Sequence, residues 1–254
     1  MANKRDGLRV AVVGAGIVGS AIAFHLARRG VQVTVVESSQ PGSGTSGRSF
    51  AYLNSFGKEP ESYHDLNRRS MDMWDRFARL LEVDVGLRWG GMLRWESTQE
   101  GAEELRERVA LLQARGYPCR LLDPDEMLEL EPGLSPGPVT AAVHSEIEGQ
   151  VDPPRVTRAC LEKVAEAGGT VHLETEATEL LVDGTRVAAV RTAGGDLECD
   201  IVVLAAGLGT TALADSAGVH LPQQESPGVL VLTDPRPRLL KTVSVVYAPP
   251  IDSA

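Results

Sequence analysis

Three glycines, Gly14, Gly16 and Gly19, interrupt an apolar run from Val10 to Ala27, and the next apolar run, Val31 to Val36, ends on an acid, Glu37. That spacing restricts the fold sharply. Leu8 to Val13 is short, apolar and rich in valine, the pattern of a parallel strand buried on both faces. Ile17 to Arg29 reads as a helix that Gly30 stops. Between them, Gly14 permits a tight strand-to-helix turn, Gly16 lets a pyrophosphate approach the backbone, and Gly19 allows the helix to press on the strand. The unpaired amides and the positive dipole end at the helix start form an anion site. Glu37 stands where a carboxylate accepts the hydroxyls of an adenosine ribose and repels a ribose phosphate. The pattern predicts a dinucleotide-binding βαβ unit.

Two other readings compete for this segment. One is a glycine-rich packing turn with no ligand, in which Glu37 is a solvated strand end. The other is a signal peptide, since Lys4, Arg5 and Arg9 precede the apolar run. Three glycines in six positions make a poor spanning helix, no small-residue cleavage site follows, and Arg28, Arg29 and Glu37 resume a soluble pattern.

The formal charge of −10 and an aromatic content of 4% disfavour nucleic acid as a partner, because phosphate backbones call for concentrated Lys and Arg and single strands for stacking rings. Cys119, Cys160 and Cys199 are far apart and without a CxxC, so neither a disulfide framework nor a thiolate metal site is expected, and a reducing cytoplasm fits. The five histidines have no metal-ligand spacing. Outside the opening strand and helix no apolar run is long enough to cross a bilayer, so no membrane span is expected.

After Glu37 comes Ser38 to Ser49, a run of small hydroxyl residues and glycines with one cation, Arg48. It reads either as a flexible linker or as a ligand-contacting loop at the carboxyl end of the second strand. Glu61 to Leu81 is an amphipathic helix with Leu66, Met73, Trp74, Phe77, Leu80 and Leu81 as its core stripe. Leu87 to Glu96 reads as strand-like around a Gly90-Gly91 turn. A helix with Ala102, Leu105, Val109 and Leu112 inward follows, ended by Gly116 to Pro118. Pro124 to Leu130 is a short acidic helix, and Val139 to Val143 a strand. Asp152 is an N-cap with Pro153 in the first helical position, for a helix running to Ala167. Thr170–Glu174, Ala177–Val182, Arg186–Thr192 and Leu197–Val203 read as successive strands, with hairpin turns at Asp183-Gly184 and Gly194-Gly195. Ile201 to Ala206, apolar throughout, belongs in the parallel sheet. Its small-residue exit into Gly207 serves either cofactor approach or packing.

Taken in order, these segments resemble the D-amino-acid oxidase family of FAD-dependent oxidoreductases, which includes glycine, sarcosine and D-amino-acid oxidases and dehydrogenases. The likeness rests on the Val10–Ser20 segment, Glu37, Gly44–Asn54, Gly149–Pro153 and Val203–Gly207. It implies FAD as cofactor, with Gly14, Gly16 and Gly19 at the pyrophosphate, Glu37 at the adenosine ribose, and Ala15, Ile17, Val18 and Ser38 among the cofactor-binding residues. Gly44, Thr45, Ser46, Gly47, Arg48 and Ser49 would lie at the phosphates and the approach to the flavin. It also implies a main-chain contact to adenine at Ala177 and a loop passing the cofactor at Ala206 and Gly207. The implied fold is α/β: a Rossmann-like, three-layer FAD-binding domain with a β-meander, from residues 1–57 and 149–217, plus an α+β substrate domain with an antiparallel sheet, from 58–148 and 218–254.

Members of that family continue well past the point equivalent to Ala254, adding substrate-domain strands and a late segment that returns to the flavin. The resemblance therefore implies an incomplete substrate domain, finished by a second chain or left as a fragment. The implied activity is oxidation of the carbon–nitrogen bond of an amino acid or small amine, by hydride transfer to flavin and hydrolysis of the imine. The alternatives are a flavin-binding subunit or inactive fragment, and a nicotinamide-dependent dehydrogenase. No catalytic base stands out; Asn54, Tyr63 and His64 read as structural.

Overall fold

The computed structural model describes residues 7–224, 226, 228–234 and 237–246. Lys4, Arg5 and the stretch from Tyr247 to Ala254 lie outside them. In chain order the elements are β1 (Arg9–Val13), α1 (Ile17–Ala27), β2 (Gln32–Val36), β3 (Tyr52–Leu53), α2 (Glu61–Leu81), β4 (Met92–Glu96), α3 (Gln99–Ala114) and β5 (Arg120–Leu122). There follow α4 (Pro124–Leu130), β6 (Ala141–Ser145), β7 (Gly149–Gln150), α5 (Pro153–Glu166), β8 (Thr170–His172), β9 (Ala177–Asp183) and β10 (Arg186–Thr192). The last are β11 (Gly195–Glu198), β12 (Ile201–Leu204), α6 (Thr210–Ser216) and β13 (Val243–Val246). They fall into two compact units: Met1–Phe50, Ala78–Val85 and Asp152–Leu230 in one, Ala51–Phe77, Gly86–Val151 and Val231–Ala254 in the other.

The first unit is built on a parallel sheet in the order β12-β1-β2-β8. Every valine of β1 and β2 is buried, as strands covered on both faces require. Ala11 and Val13 of β1 share a cluster with Leu180, Val190, Cys199 and Leu213, so one face of the sheet meets the antiparallel meander β11-β10-β9. By the period-two alternation of a strand, Val10 and Val12 turn to the opposite face. Helix α5 starts where the Asp152 side chain accepts the Arg155 N–H at 3.0 Å, with Pro153 in the first turn. Its buried face carries Val156, Thr157, Cys160 and Val164, and burial pushes the Cys160 thiol up to about 12.

Two sequence expectations change here. The strand expected over Thr170–Glu174 ends at His172, and it joins β2 in parallel, because the helix preceding it returns the chain in β2's direction. The run Leu197–Val203 is two strands, not one. It breaks at Cys199-Asp200, where the Asp200 carboxylate accepts the Arg9 backbone N–H at 2.8 Å and its guanidinium at 3.3 Å. Before that break the chain runs antiparallel to β10, and after it parallel to β1.

The second unit holds a mixed sheet in the order β13-β4-β6-β5, antiparallel except for the β13–β4 pair. Ala102, Leu105, Val109 and Leu112 of α3 pack on Met92, Tyr117, Ala141 and Val143, the face the periodicity predicts. Strand β4 begins only at Met92; Arg88 makes an isolated bridge to Gln150 instead. Helix α2 has the predicted bounds but a rotated stripe, with His64, Met71 and Leu81 buried and Leu66 and Met73 exposed at 64% and 54%. Leu66 and Met73 are seven residues apart and share a face, so the apolar count alone misplaced the inward side.

Glu148 is fully buried in this unit. Its carboxylate accepts the hydroxyls of Tyr52 and Tyr117, the Phe56 N–H at 3.0 Å and the Ser55 N–H at 3.3 Å. Burial pushes its carboxyl above the ordinary carboxylate value, against the pull of those donors. His64 closes the same cluster: its Nδ1 lies 3.0 Å from the Ser55 carbonyl oxygen, and the Ser55 hydroxyl donates to the His64 carbonyl at 2.8 Å. The polar interior ties residues 52–56 to β7 and α2.

Candidate functional site

The carboxyl end of β1 is where the glycines gather. Gly14 takes φ of +102°, and a Cβ there would sit 2.3 Å from the Ala205 carbonyl oxygen. A Cβ on Gly19 would fall 1.9 Å from the Gly14 carbonyl oxygen. Both therefore serve close packing of the turn, the first turn of α1 and the exit of β12. Gly16 differs, since its missing Cβ meets only the Ser46 hydroxyl oxygen, at 3.2 Å. It is the glycine that leaves an approach to the backbone open.

Glu37 ends β2 beside this turn. One carboxylate oxygen accepts the Ala15 N–H at 2.7 Å, and the other accepts the Ser39 N–H at 2.9 Å and the Ser38 hydroxyl at 3.4 Å. Its own backbone is fixed on both sides, the N–H donating to His172 O at 2.9 Å and the carbonyl accepting Thr175 N–H at 2.8 Å. A carboxylate offers about four lone-pair directions, so acceptor capacity is left beyond these contacts.

The loop after Glu37 is no loose linker. Gly42 N–H donates to Ala15 O at 2.9 Å, and a Cβ on Gly42 would approach Thr157 Oγ1 to 2.9 Å. Thr45–Arg48 forms a single 3₁₀ turn, and Ser46 Oγ accepts the Ile17 N–H at 3.0 Å. The amides at the helix start are thus partly committed, that of Ala15 to Glu37 and that of Ile17 to Ser46, which corrects the picture of a wholly unpaired cluster. Serine takes the Ile17 amide because a helix's first N–H groups have no intrahelical acceptor, whereas the Ala15 amide, one residue before the N-cap Gly16, belongs to the turn itself.

The structure brings Gly14, Ala15, Gly16, Ile17, Gly19, Glu37, Ser38 and Ser46 into one interlocked group. Val18 is exposed at 60%, one residue into α1. Gly44, Thr45, Gly47, Arg48 and Ser49 are exposed along the same loop. Ala206 follows β12 and lies against the Gly14 position, its Cα 2.9 Å from where a Gly14 Cβ would stand. Gly207, at φ of +58°, accepts Gln223 Nε2 on its carbonyl at 3.1 Å. Ala177 opens β9 and packs, like Ala206, on the cluster shared by sheet and meander. Thr157 and Ala205 belong to the site's walls; Ala205 lies in the small-residue exit of β12 that the sequence shows, whereas Thr157 had no sequence signal, because it acts only through a side-chain approach from a distant element. One turn into α1, Ser20 Oγ is the one buried side-chain polar atom among the described residues with no hydrogen-bond partner.

A family model described as FAD dependent oxidoreductase matches residues 9–253. The chain belongs to the DAO family of FAD-dependent oxidoreductases. Among curated relatives, glycine oxidase from Geobacillus kaustophilus is 28% identical over 92% of this chain and 63% of its own length. Sarcosine oxidase subunit beta from an Arthrobacter species is 28% identical over 86% of this chain and 55% of its length. The crystal structure of the Geobacillus kaustophilus glycine oxidase superposes with a TM-score of 0.82 and 26% identity, covering 94% of this chain and 66% of that one. The chain thus spans 63% and 55% of the length of these two curated relatives.

The cofactor of the family is FAD, and the β1–α1 turn suits it. Gly16 opens the backbone where a pyrophosphate would need it, Ser46 adds a hydroxyl, and Glu37 retains acceptor sites for a ribose.

Proposed function

We propose that this chain binds FAD along the β1–α1 turn and takes part in oxidising the carbon–nitrogen bond of an amino acid or related small amine. The observation that carries the reading is the contact of Glu37 with the Ala15 amide, which puts a carboxylate and an open glycine turn side by side. Bound FAD would supply the hydride acceptor, and water would hydrolyse the resulting imine to a carbonyl compound and an amine. The residues' own work is binding and orientation. Gly14, Ala15, Gly16, Ile17, Val18 and Gly19 line the pyrophosphate, with Ser46 and the exposed loop Gly44–Ser49 alongside it. Glu37 and Ser38 accept the ribose. Ala177 meets adenine through its main chain, and Ala206 and Gly207 pass along the cofactor.

In this reading the FAD-binding domain comprises 1–57 and 149–217, and the substrate domain 58–148 and 218–254. Relatives named as glycine oxidase and as a subunit of sarcosine oxidase support a small amine substrate and a partner chain contributing to the substrate domain. Among the described residues no helix is long and apolar enough to cross a membrane, and we place the protein in the cytoplasm.

The test is the visible spectrum of the purified chain, followed by anaerobic addition of glycine, sarcosine and a panel of D-amino acids. A flavin spectrum that bleaches with one of these supports the reading. An uncoloured chain that takes up no added FAD overturns it. A second reading, a flavin-binding subunit without catalysis of its own, is favoured by a relative named as sarcosine oxidase subunit beta. Flavin colour without bleaching selects it.

A further inference from the structure

Helix α2 turns an apolar seam outward. Tyr63, Leu66, Ser70, Met73 and Phe77 recur at intervals of three, four, three and four residues, the spacing that aligns one stripe of side chains for knobs-into-holes packing. All five lie in the second unit. His64 and Met71 mark the inward face of the helix, and the seam points elsewhere: Tyr63, Leu66 and Met73 are exposed at 45%, 64% and 54%, and Ser70 is exposed between them. Phe77, at the far end, is half-buried, its ring edge-on to that of Trp74 at 5.4 Å. Single exposed apolar side chains are ordinary, whereas a row of them along about 21 Å of one helix marks an interaction surface.

The border of the seam carries charge. By the helical period Arg69 and Arg76 run along one side of it, and Lys58 stands with its ammonium 5.7 Å from the centre of the Tyr63 ring. Among the described residues neither arginine makes an ion pair, and Asp72, further round the helix, is taken by Arg68 at 3.1 Å. Three cations beside an apolar row run against the chain's formal charge of −10. We infer that this face of α2 docks an amphipathic helix of a partner chain, whose apolar stripe interdigitates with the seam and whose Asp or Glu residues flank that stripe opposite Arg69 and Arg76. A second copy of α2 fits poorly: antiparallel, it sets the same two arginines against each other, and parallel, it brings Trp74 and no acid to Arg69. An anionic membrane fits poorly as well, because Asp65 and Asp72 lie just beyond the basic border and would be repelled. The inference gives the partner chain of the reading above a docking surface, and flavin plays no part in it.

The experiment titrates the full chain into two labelled synthetic helical peptides that share one leucine stripe at three-four spacing, the first flanked by glutamates and the second by lysines, with fluorescence anisotropy as the readout. The glutamate peptide should bind saturably and about tenfold more tightly than the lysine peptide, because its contacts with two arginines change from repulsive to attractive. Leu66→Glu combined with Met73→Glu should abolish that binding while the urea midpoint stays in place, since both side chains are exposed. Arg69→Glu combined with Arg76→Glu should turn the preference toward the lysine peptide, which neither an unfolded chain nor an indiscriminate apolar patch would do. No saturable binding of the glutamate peptide, binding that survives the seam variant, or a preference unmoved by the charge reversal would overturn the inference. So would a dimer in sedimentation velocity that Leu66→Glu dissolves, which assigns the face to a second copy, or binding to phosphatidylglycerol vesicles lost in the same variant, which assigns it to a membrane. A failure here leaves the flavin spectrum as it was, and an uncoloured chain leaves this docking intact.

Discussion

Replacing Glu37 with alanine tests the site at its most informative atom pair. The carboxylate accepts two backbone N–H groups, from Ala15 at 2.7 Å and Ser39 at 2.9 Å. Ala15 is fully buried, so its amide loses its partner with little access to water. Stranding one such donor costs about 1–3 kcal/mol, and the Ser39 amide, which is exposed, adds little. We expect Glu37→Ala to lower the unfolding free energy of the flavin-free chain by ~2 kcal/mol, read from urea melts. Loss of two charge-assisted bonds to the ribose should weaken FAD by a further ~2–4 kcal/mol, about thirtyfold to a thousandfold in Kd, read from quenching of flavin fluorescence. Glu37→Gln separates the two effects. A glutamine offers one oxygen and one amide nitrogen, so it can accept from Ala15 but then turns a donor toward Ser39. It should recover most of the stability and only part of the affinity. An alanine variant with wild-type FAD affinity would refute the assigned role of the carboxylate, and one with unchanged urea midpoint would refute the Ala15 contact.

Ser20→Ala removes a buried hydroxyl that has no partner, and should stabilise the chain by roughly 1 kcal/mol in thermal melts; a loss of stability would mean that the hydroxyl is satisfied after all. Gly19→Ala places a Cβ 1.9 Å from a backbone oxygen, whereas Gly44→Ala meets open space. The first should cost about 1–3 kcal/mol and the second stay within about 0.5, so equal melts would contradict the packing described. Glu148 holds its proton more tightly folded than unfolded, because burial pushes its carboxyl up. The stability it contributes is full below the ordinary carboxylate range and is lost as pH rises through the raised value. The stability of Glu148→Gln relative to wild type should therefore increase with pH across that interval, and a constant difference would count against the shift. Cys160, with its thiol at about 12, should resist iodoacetamide until the chain unfolds, as peptide mapping by mass spectrometry would reveal.

What could be read beforehand was local. The β1–glycine–α1 turn follows from sterics between near neighbours, α5 from an N-cap aspartate and a proline at one point, and α4 from Pro124 together with Asp123, which shares a capping box with Glu126. What could not be read depends on which distant backbone arrives. The break at Cys199-Asp200 is set by Arg9, the wall around Gly42 by Thr157, and the inward face of α2 by the Ser55 and Tyr117 groups that enclose His64. Within the site, the glycines and Glu37 were visible as a pattern. The commitment of the Ala15 and Ile17 amides to Glu37 and Ser46 was not, because residue spacing carries no information on which donor a side chain selects.

The central strand of the parallel sheet has a consequence for biosynthesis. Arg9 and the Asp200 that fastens its amide are 191 residues apart. A ribosome adding roughly 5–20 residues per second needs about 10–40 seconds to deliver that second strand after the first has emerged. Through that interval one flank of a valine-rich strand is without its neighbour, so the nascent chain presents a sticky edge while the interior is unfinished. Slowing synthesis upstream of Ile201 should therefore raise the demand for chaperones, whereas slowing it downstream should not.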